Sequence, residues 1–252
     1  MSFQAKSAGR FAREALQDGE GEVCAVFRRS FYVRCAGERY ACIGETAIGN
    51  GPLNALIPDL ALVPDLVLPR LGERVSVSLS AATAWQPPAP SAAQPDLRKL
   101  SGLARPRIPA EGLGCLIIGK HNALSGHAQP GLDALEHWLV GNAISNEAEQ
   151  LIGLGPGLTP SGDDYLGGML VALRLAGRSM QAEGLWRWLQ PRLKERTSAI
   201  SAAHLAAAAA GEGHEALHEV LNGGLDLDAL DAIGHTSGWD ALAGAMAVLK
   251  SP

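Results

Sequence analysis

Residues 153–170 read GLGPGLTPSGDDYLGGML, a glycine-rich loop that runs directly into a stretch with apolar residues at helical spacing. Two caps fit the start of this helix. Thr159 can cap with Pro160 at the first helical position, or Ser161 can cap with Asp164 three residues later, as in a capping box. In either case the first turn offers backbone N–H groups at the positive end of the helix dipole. The sequence therefore predicts a helix that begins at this loop.

Helix starts of this kind bind phosphate or carboxylate groups readily, and glycine lets a ligand approach the backbone. The loop has neither the Gly-Lys-Ser/Thr ending of a Walker A loop nor the GxGxxG spacing of a dinucleotide site. The alternative is a capped helix after a tight turn. Because a cap needs only one glycine, the excess indicates close approach by a ligand or by another backbone. The predicted ligand-binding residues here are Gly155, Gly157, Thr159, Ser161 and Gly162.

Two adjacent carboxylates, Asp163 and Asp164, follow this loop and would repel an anionic ligand unless a cation lay between them. Magnesium is commonly held by one or two carboxylates together with phosphate oxygens of a substrate. We therefore predict Mg²⁺ here, or a basic residue supplied from outside the motif, such as Lys120 or Arg107. On this hypothesis Asp163→Asn weakens metal-dependent binding with little loss of stability. The alternative is that both aspartates only cap the helix and complement its dipole.

A second copy of the motif lies near the C-terminus. SGDDYLGG at 161–168 aligns without gaps on SGWDALAG at 237–244, and both copies are predicted to open a helix with the serine as N-cap. We expect the two helix starts to lie within about one helix diameter, roughly 10–12 Å, so that they share a pocket. Two unrelated capping boxes are the alternative. This copy adds Ser237 and Gly238 as ligand-binding residues, Asp240 as a third metal ligand beside Asp163 and Asp164, and His235 as an acid or base.

A polar face interrupts the Ala-rich segment 198–210, where Thr197, Ser201 and His204 lie four and three residues apart. Such a face points either to solvent or to a polar cavity, and a satisfied core histidine is the alternative for His204. We take Ser201 as a further ligand-binding residue. The catalytic candidates are Asp163, His204 and His235.

The first 85 residues are predicted to be mostly sheet. The stretch 23–40, VCAVFRRSFYVRCAGERY, is rich in β-branched and aromatic residues and is broken at 36–38, which indicates strands on either side of a short turn. RVSVSLS at 74–80 alternates as a half-buried strand does. Glycines and prolines between these stretches, including Pro58, Pro64 and Pro69, are too frequent for long helices. A small barrel or sandwich, with one helix around 7–16, is expected.

The apolar spacing changes after the proline-rich stretch 86–95, QPPAPSAAQP, which is the best linker candidate. Beyond it, apolar residues recur at three- and four-residue intervals, and the Ala-rich segment 198–210 favours a buried helix. We therefore predict an α+β protein with two domains. Residues 1–95 form a β-rich domain ending in the Pro/Ala-rich linker, and residues 96–252 form an all-helical domain that carries both motifs.

Composition and charge argue against several classes of function. The chain has 21 Lys and Arg against 26 Asp and Glu, a formal net charge of −5, and no Lys/Arg-rich run. Binding to nucleic acid or to an anionic membrane surface is therefore not expected. No apolar run is long enough to span a membrane, and no signal peptide is apparent, so we expect a cytoplasmic protein. The four cysteines lack metal-ligand spacing and are expected to be buried and reduced.

Three segments together resemble one family. They are GLGPGLTPSGDD at 153–164, TSAISAAHL at 197–205 and GHTSGWDALAG at 234–244. The chain from 108 to 248 is similar to the family of the oxamate carbamoyltransferase subunit AllH, whereas the N-terminal β region matches only loosely. The resemblance implies a cytosolic protein of purine or allantoin catabolism that acts with other enzyme subunits on carbamoyl phosphate and oxamate or a related amide.

The resemblance implies a carbamoyltransferase subunit and leaves open which subunit carries the chemistry. Two alternatives remain at this point. One is a non-catalytic partner in which the glycine motif is a close helix contact, and the other is a ligand-binding regulatory module. Stand-alone turnover separates the enzyme from both alternatives.

Overall fold

The computed structural model describes residues 1–58, 68–91 and 95–252. The chain divides into two compact units, residues 1–87 and residues 88–252. Pro64 and residues 92–94 of the predicted linker lie outside the described residues. The α+β prediction is confirmed: a curled sheet that forms a half-barrel comes first, and a helical region follows it.

The sheet of the first unit has eight strands among the described residues, in the order β1-β7-β3-β4-β5-β6-β2-β8. Neighbouring strands are antiparallel except for the pairs β1–β7, β5–β6 and β2–β8. The strands are β1 Ser2–Gln4, β2 Ser7–Ala8, β3 Glu20–Val26, β4 Ser30–Cys35, β5 Arg39–Glu45, β6 Asn54–Ile57, β7 Arg74–Ser78 and β8 Thr83–Ala84.

The predicted strand-turn-strand segment forms the middle of this sheet. Strand β4 pairs with β5 in antiparallel register, with Phe31 opposite Ile43 and Val33 opposite Ala41. These four side chains are fully buried, so alternate positions face the core, as the pattern indicates. The turn at 36–38 uses left-handed backbone at Gly37 and Glu38, which glycine adopts without steric cost.

The predicted N-terminal helix is shorter than expected. Helix α1 spans Arg10–Ala15, because Ser7 and Ala8 pair in the sheet with Leu56 and Ala55. Gly9 separates the strand from the helix at a close backbone contact. A Cβ at Gly9 would lie 2.1 Å from the carbonyl oxygen of Gly51. The sheet pairing thus overrides a helical pattern that began three residues earlier.

All four cysteines are unpaired thiols, as expected from their spacing. Cys35, Cys42 and Cys115 are buried, whereas Cys24 is only half-buried. Burial raises the pKa of Cys35 to about 11 and that of Cys42 to about 12. Cys35 and Cys42 therefore stay protonated and serve as small packing groups.

The second unit is built from helices that pack around one apolar core. Within residues 1–58, 68–91 and 95–252, no helix combines the length and the apolar character needed to cross a membrane. Short 3₁₀ helices lie at Gly114–Ile118 and Asn146–Leu151. The α-helices are α2 Leu97–Ala104, α3 Ala123–Leu139, α4 Ser161–Leu175, α5 Ser179–Arg196, α6 Ala199–Ala209, α7 Glu215–Leu221, α8 Asp228–Asp231 and α9 Ser237–Lys250.

Helices α4 and α9, which carry the repeated motif, lie side by side and in direct backbone contact. A Cβ at Gly168 would lie 1.8 Å from the carbonyl oxygen of Ala241, and a Cβ at Gly244 would lie 1.9 Å from that of Tyr165. The pair is parallel, because Thr159 and Ser237 meet where the helices begin, and Arg178, just after the end of α4, donates to Val248 O near the end of α9. Each contact repeats the other at equivalent motif positions, which gives the pair an approximate two-fold symmetry along the helix direction.

The first glycine of each motif copy also lies against a backbone carbonyl. A Cβ at Gly162 would lie 2.0 Å from the carbonyl oxygen of Leu151, and a Cβ at Gly238 would lie 2.3 Å from that of Leu230. In both copies this glycine packs against the short helical segment that precedes its own helix. Both repeated glycines of the motif are therefore required by contacts between backbones.

We expect Gly168→Ala to destabilise the protein by about 2–3 kcal/mol, because the added methyl group must push α4 and α9 apart. Gly244→Ala should do the same. Gly167→Ala is a matched control on α4, since its Cβ would come no closer than 3.8 Å to a neighbouring atom. That change should be neutral or should stabilise the helix by up to about 1 kcal/mol. Urea unfolding of the full chain measures all three. Equal effects of Gly167→Ala and Gly168→Ala would contradict the close contact.

Candidate functional site

The starts of α4 and α9 meet at a hydroxyl contact. Thr159 Oγ1 lies 3.2 Å from Ser237 Oγ. The expectation that the two helix starts lie together therefore agrees with the structure. The predicted caps are wrong, however: Ser161 and Ser237 are the first helical residues, and Pro160 and Thr236 occupy the N-cap positions. Because the serines are not N-caps, their hydroxyls do not cap the helices and are available for other partners.

These serines act across the helix pair. The Ser161 hydroxyl interacts with the Asp240 carboxyl of α9, and the Ser237 hydroxyl interacts with the Asp164 carboxyl of α4. Both aspartates occupy the fourth helical position of their helices. The reciprocal arrangement follows the same approximate two-fold symmetry as the glycine contacts. It brings two carboxyl groups and several hydroxyl groups to the paired helix starts.

Asp240 is completely buried. Its Oδ1 accepts hydrogen bonds from the backbone N–H groups of Leu113 at 2.5 Å and Gly114 at 3.1 Å. Its Oδ2 accepts no hydrogen bond from the described part of the chain. Burial raises the pKa of Asp240, and the hydroxyls of Ser161 and Thr236 together with the two amides act in the opposite direction.

Asp164 has a similar environment on the other helix. Burial raises its pKa well above the usual range, and the charges of Asp240 and Asp163 raise it further. The Ser237 and Thr159 hydroxyls oppose this shift. Asp164 Oδ2 is buried and has no hydrogen-bond partner within the described residues. Because a protonated carboxyl is favoured here, Asp164 can donate a hydrogen bond as well as accept one.

Asp163 lies in a hydrogen-bond network with parts of the chain outside its own helix, and its predicted catalytic and metal-binding roles stay predictions. Its Oδ1 accepts from the Gly153 N–H at 2.8 Å, and its Oδ2 accepts from the hydroxyls of Thr197 and of Ser201, the latter at 2.6 Å. Asp163 is 2% exposed, and burial raises its pKa while these three donors oppose the shift. The carboxyl thus joins the start of α4 to the preceding loop and to the start of α6. The sequence alone predicted little loss of stability on replacing this carboxyl. Because the carboxyl has three donors, we now expect its loss to destabilise the protein.

The predicted ligand-binding glycines of the loop mostly contact other parts of the chain. A Cβ at Gly155 would lie 3.1 Å from Ser161 N, and the Gly162 N–H donates to Leu154 O at 2.9 Å. Gly157 is exposed, with no atom within 4 Å of its Cβ position. The structure thus supports the backbone-contact alternative at Gly162. Ligand binding by the other loop residues stays a prediction.

The two histidine candidates lie in different environments. His204 is half-buried on α6, and burial together with the charge of His214 lowers its pKa to about 4. His204 is therefore neutral at physiological pH. The His235 side chain is 78% exposed two residues before Ser237, and its Nε2 lies 3.4 Å from Glu111 Oε2. Of the two, His235 is the one that solvent or a ligand can reach.

Of the two basic residues that the sequence suggests from outside the motif, Arg107 already has acidic partners. Arg107 forms ion pairs with Asp228 and Asp231, the second at 3.2 Å. Trp239 Nε1 also donates to Asp231 at 2.7 Å, which ties this cluster to α9. Lys120 is exposed. Across the residues that the structure describes, no group of three or more His, Cys, Asp or Glu is placed to hold a metal ion.

Several residues of this site are absent from the sequence-based set. Thr236 has a polar side chain next to the second motif, so its position was a usable signal, and Thr197 was part of the polar face with Ser201 without being taken as a site residue. The backbone amides of Leu113 and Gly114 gave no such signal, because they lie more than 120 positions before Asp240. Only the folded chain brings these amides to the carboxyl.

We expect Asp163→Ala to destabilise the protein by about 3 kcal/mol, because it leaves three donors without their acceptor, and the Ser201 donor is buried. Asp163→Asn should cost less, since the amide oxygen still accepts from Gly153. Asp133→Ala, at an exposed carboxyl of α3, is the control and should change stability by less than about 0.5 kcal/mol. In a double-mutant cycle by urea unfolding, Asp163→Ala and Ser201→Ala should be less than additive. Strict additivity would show that the two side chains are not coupled.

We also expect stability to depend on the Asp164 carboxyl in a specific pH direction. Its folded-state pKa is raised, so its contribution is complete below the ordinary aspartate pKa of about 4 and is lost as pH rises through the folded-state value. Asp164→Asn resembles the protonated acid. The free energy of unfolding of this variant should therefore rise relative to that of wild type as the pH increases above about 4. Urea unfolding in EDTA, with Asp133→Asn as control, measures the difference. Parallel pH profiles for wild type and Asp164→Asn would contradict the shift.

Comparisons with known proteins bear on the helical unit. No solved structure matches this chain. A family model described as oxamate carbamoyltransferase subunit AllH matches residues 151–249, about two fifths of the chain. The match begins just before the glycine-rich loop and includes both α4 and α9 as far as residue 249. The resemblance carried by the motifs is therefore confirmed, and over residues 151–249 this chain matches the family of the oxamate carbamoyltransferase subunit AllH.

Proposed function

We propose that this protein is an AllH-like subunit of an oxamate carbamoyltransferase-type enzyme. On this proposal it acts in the cytoplasm with companion subunits, in purine or allantoin catabolism, and binds a small phosphorylated or carboxylated ligand where α4 and α9 begin. The family match supports the subunit role, since it covers both helix starts. Carbamoyl phosphate and oxamate are the expected ligands.

The observation that carries the ligand proposal is the contact between the Thr159 and Ser237 hydroxyls at 3.2 Å. It brings together two helix N-termini, each equivalent to roughly half a positive charge. Both side chains are half-buried, so they are accessible from one side. Hydroxyl groups donate readily to carboxylate and phosphate oxygens.

The electrostatics of this position tolerate an anion when the carboxyls are protonated. Burial favours the neutral form of Asp164, and a neutral carboxyl adds a donor instead of a negative charge. His235 is exposed beside the start of α9, and we propose it as the group that exchanges protons with a bound ligand. In carbamoyl transfer the oxamate nitrogen takes the carbamoyl group and phosphate leaves, so a donor for the phosphate oxygens is useful.

A non-catalytic assembly role is the second candidate. The observation that favours it is the packing of Gly162, Gly168, Gly238 and Gly244 against backbone carbonyls of the same chain. On this alternative the motif serves the helix pair, and the protein stabilises its companion subunits without binding substrate.

Reconstitution tests the proposal. Phosphate release from carbamoyl phosphate in the presence of oxamate should require this chain together with its companion subunits. Ser237→Ala and Thr159→Val should each weaken ligand binding about tenfold, the equivalent of roughly 1.4 kcal/mol for a lost hydrogen bond. Ser179→Ala is the matched control, because Ser179 is the exposed first residue of α5. That control should bind the ligand as wild type does.

The outcomes separate the candidates. Full turnover by the companion subunits without this chain rules out the subunit role. Co-purification with those subunits, combined with unchanged ligand binding in Ser237→Ala and Thr159→Val, supports the assembly role and contradicts the ligand site. Turnover by the chain alone would assign the chemistry to this subunit.

A further inference from the structure

Two carboxyl oxygens at the paired helix starts have no hydrogen-bond partner in the described chain. They are Oδ2 of Asp164 and Oδ2 of Asp240, and both are buried. Buried carboxyl oxygens in folded proteins are almost always hydrogen-bonded or bound to a cation, because burial without a partner costs free energy. These two oxygens occupy equivalent positions in the two motif copies. Because both copies lack a hydrogen bond at the same position, the missing partners are a property of the site and not of one badly placed side chain.

The neighbouring Asp163 shows that this chain can satisfy a buried carboxylate by itself. Three donors saturate Asp163, from Gly153, Thr197 and Ser201. Asp240 receives two amides on Oδ1 alone, and this fixes the carboxyl of a side chain that is completely buried. Its other oxygen, Oδ2, has no partner in the described chain. The charge of the Asp240 carboxyl raises the pKa of Asp164 on the other helix.

We propose that Asp164 and Asp240 together bind one divalent cation, with Mg²⁺ the expected ion. The two carboxylate oxygens supply the charged ligands, one from each helix. The hydroxyls of Ser237 and Thr159 interact with the Asp164 carboxyl, and those of Ser161 and Thr236 interact with the Asp240 carboxyl, so these further candidate donors are oxygens. Hard cations such as Mg²⁺ and Ca²⁺ prefer this donor chemistry, whereas zinc and copper prefer nitrogen or sulfur.

Asp163 is not a ligand in this proposal, because both of its oxygens already accept hydrogen bonds. The site therefore has two carboxylates, and water or the oxygens of a bound anion complete the coordination, as is usual for Mg²⁺. The charge balance agrees. With Asp163 counted as a carboxylate, three negative charges against two half-charges of helix dipole leave a net charge of about −2, which a divalent cation neutralises. An anionic ligand then no longer meets the repulsion of the carboxylates alone.

Titration calorimetry of Mn²⁺ and of Mg²⁺ into the full chain, after treatment with EDTA, tests the site. We expect one ion per chain and a rise in Tm with added Mg²⁺. Binding should release protons, measured by repeating the titration in buffers of different ionisation enthalpy, because ligand carboxyls must lose their protons. Asp164→Asn should weaken Mn²⁺ affinity at least tenfold, and Asp133→Asn should leave it unchanged.

The two aspartate variants differ in the risk that they do not fold. Asp240 is fully buried, so Asp240→Asn is included only if circular dichroism shows that it folds, and it should then lose affinity as Asp164→Asn does. Absence of Mn²⁺ and Mg²⁺ binding by wild type, or equal affinity in wild type and Asp164→Asn, overturns the proposal. The outcome is separable from the proposed function. Cation binding is measured on the chain alone, whereas binding of oxamate or carbamoyl phosphate in EDTA tests the hydroxyl site without the cation.

Discussion

The close parallel contact between α4 and α9 is the constraint on which the rest of the helical unit depends. Gly168 and Gly244 each lie against a backbone carbonyl of the opposite helix, at a distance that leaves no room for a side chain. Dispersion contacts are strongest when backbones approach this closely. Because the two contacts are reciprocal, they fix both the distance and the register of the helices. A shift by one residue along α9 would bring Ala243 or Ala245 to the contact, and a shift along α4 in one of the two directions would bring Met169 there.

This register determines what the helix starts bring together. With the glycines in contact, the first-turn serines of one helix come beside the fourth-position aspartates of the other, and the hydroxyls of Thr159 and Ser237 meet. The cost is that Asp164 and Asp240 each have one buried carboxyl oxygen with no hydrogen-bond partner in the described chain. The apolar residues that line the remaining turns of both helices offset that cost in the folded chain. A polar group kept buried at such a cost is more often found at a functional site than in a purely structural contact.

Much of the candidate site could be predicted because the motif copies are local and repeated. The shared serine, aspartate and glycine positions indicated that both helix starts serve one place, and the contact between Thr159 and Ser237 agrees with that. The individual roles were harder to predict. Ser161 and Ser237 satisfy the rule for an N-cap, yet each helix begins one residue earlier than that rule predicts. Each serine is therefore the first helical residue, and its hydroxyl interacts with the other helix. Adjacent Asp163 and Asp164 looked equivalent in sequence, but successive helical positions point in directions about 100° apart, and the two carboxyls meet different neighbours.

The sequence by itself determined the order of the two units, because strand and helix periods differ and each follows from which residues avoid water. It also determined that the glycine-rich loop opens a helix and that a second helix opens in the same way. Only the tertiary structure decided which backbone each glycine meets, which of three aspartates is satisfied, and that the amides of Leu113 and Gly114 hold Asp240. Periodicity and capping depend on neighbours within one or two turns. The partners that join the two helices and hold Asp240, such as Ala241 for Gly168 and Leu113 for Asp240, lie dozens of residues away, and only the packing of the whole core brings them into contact.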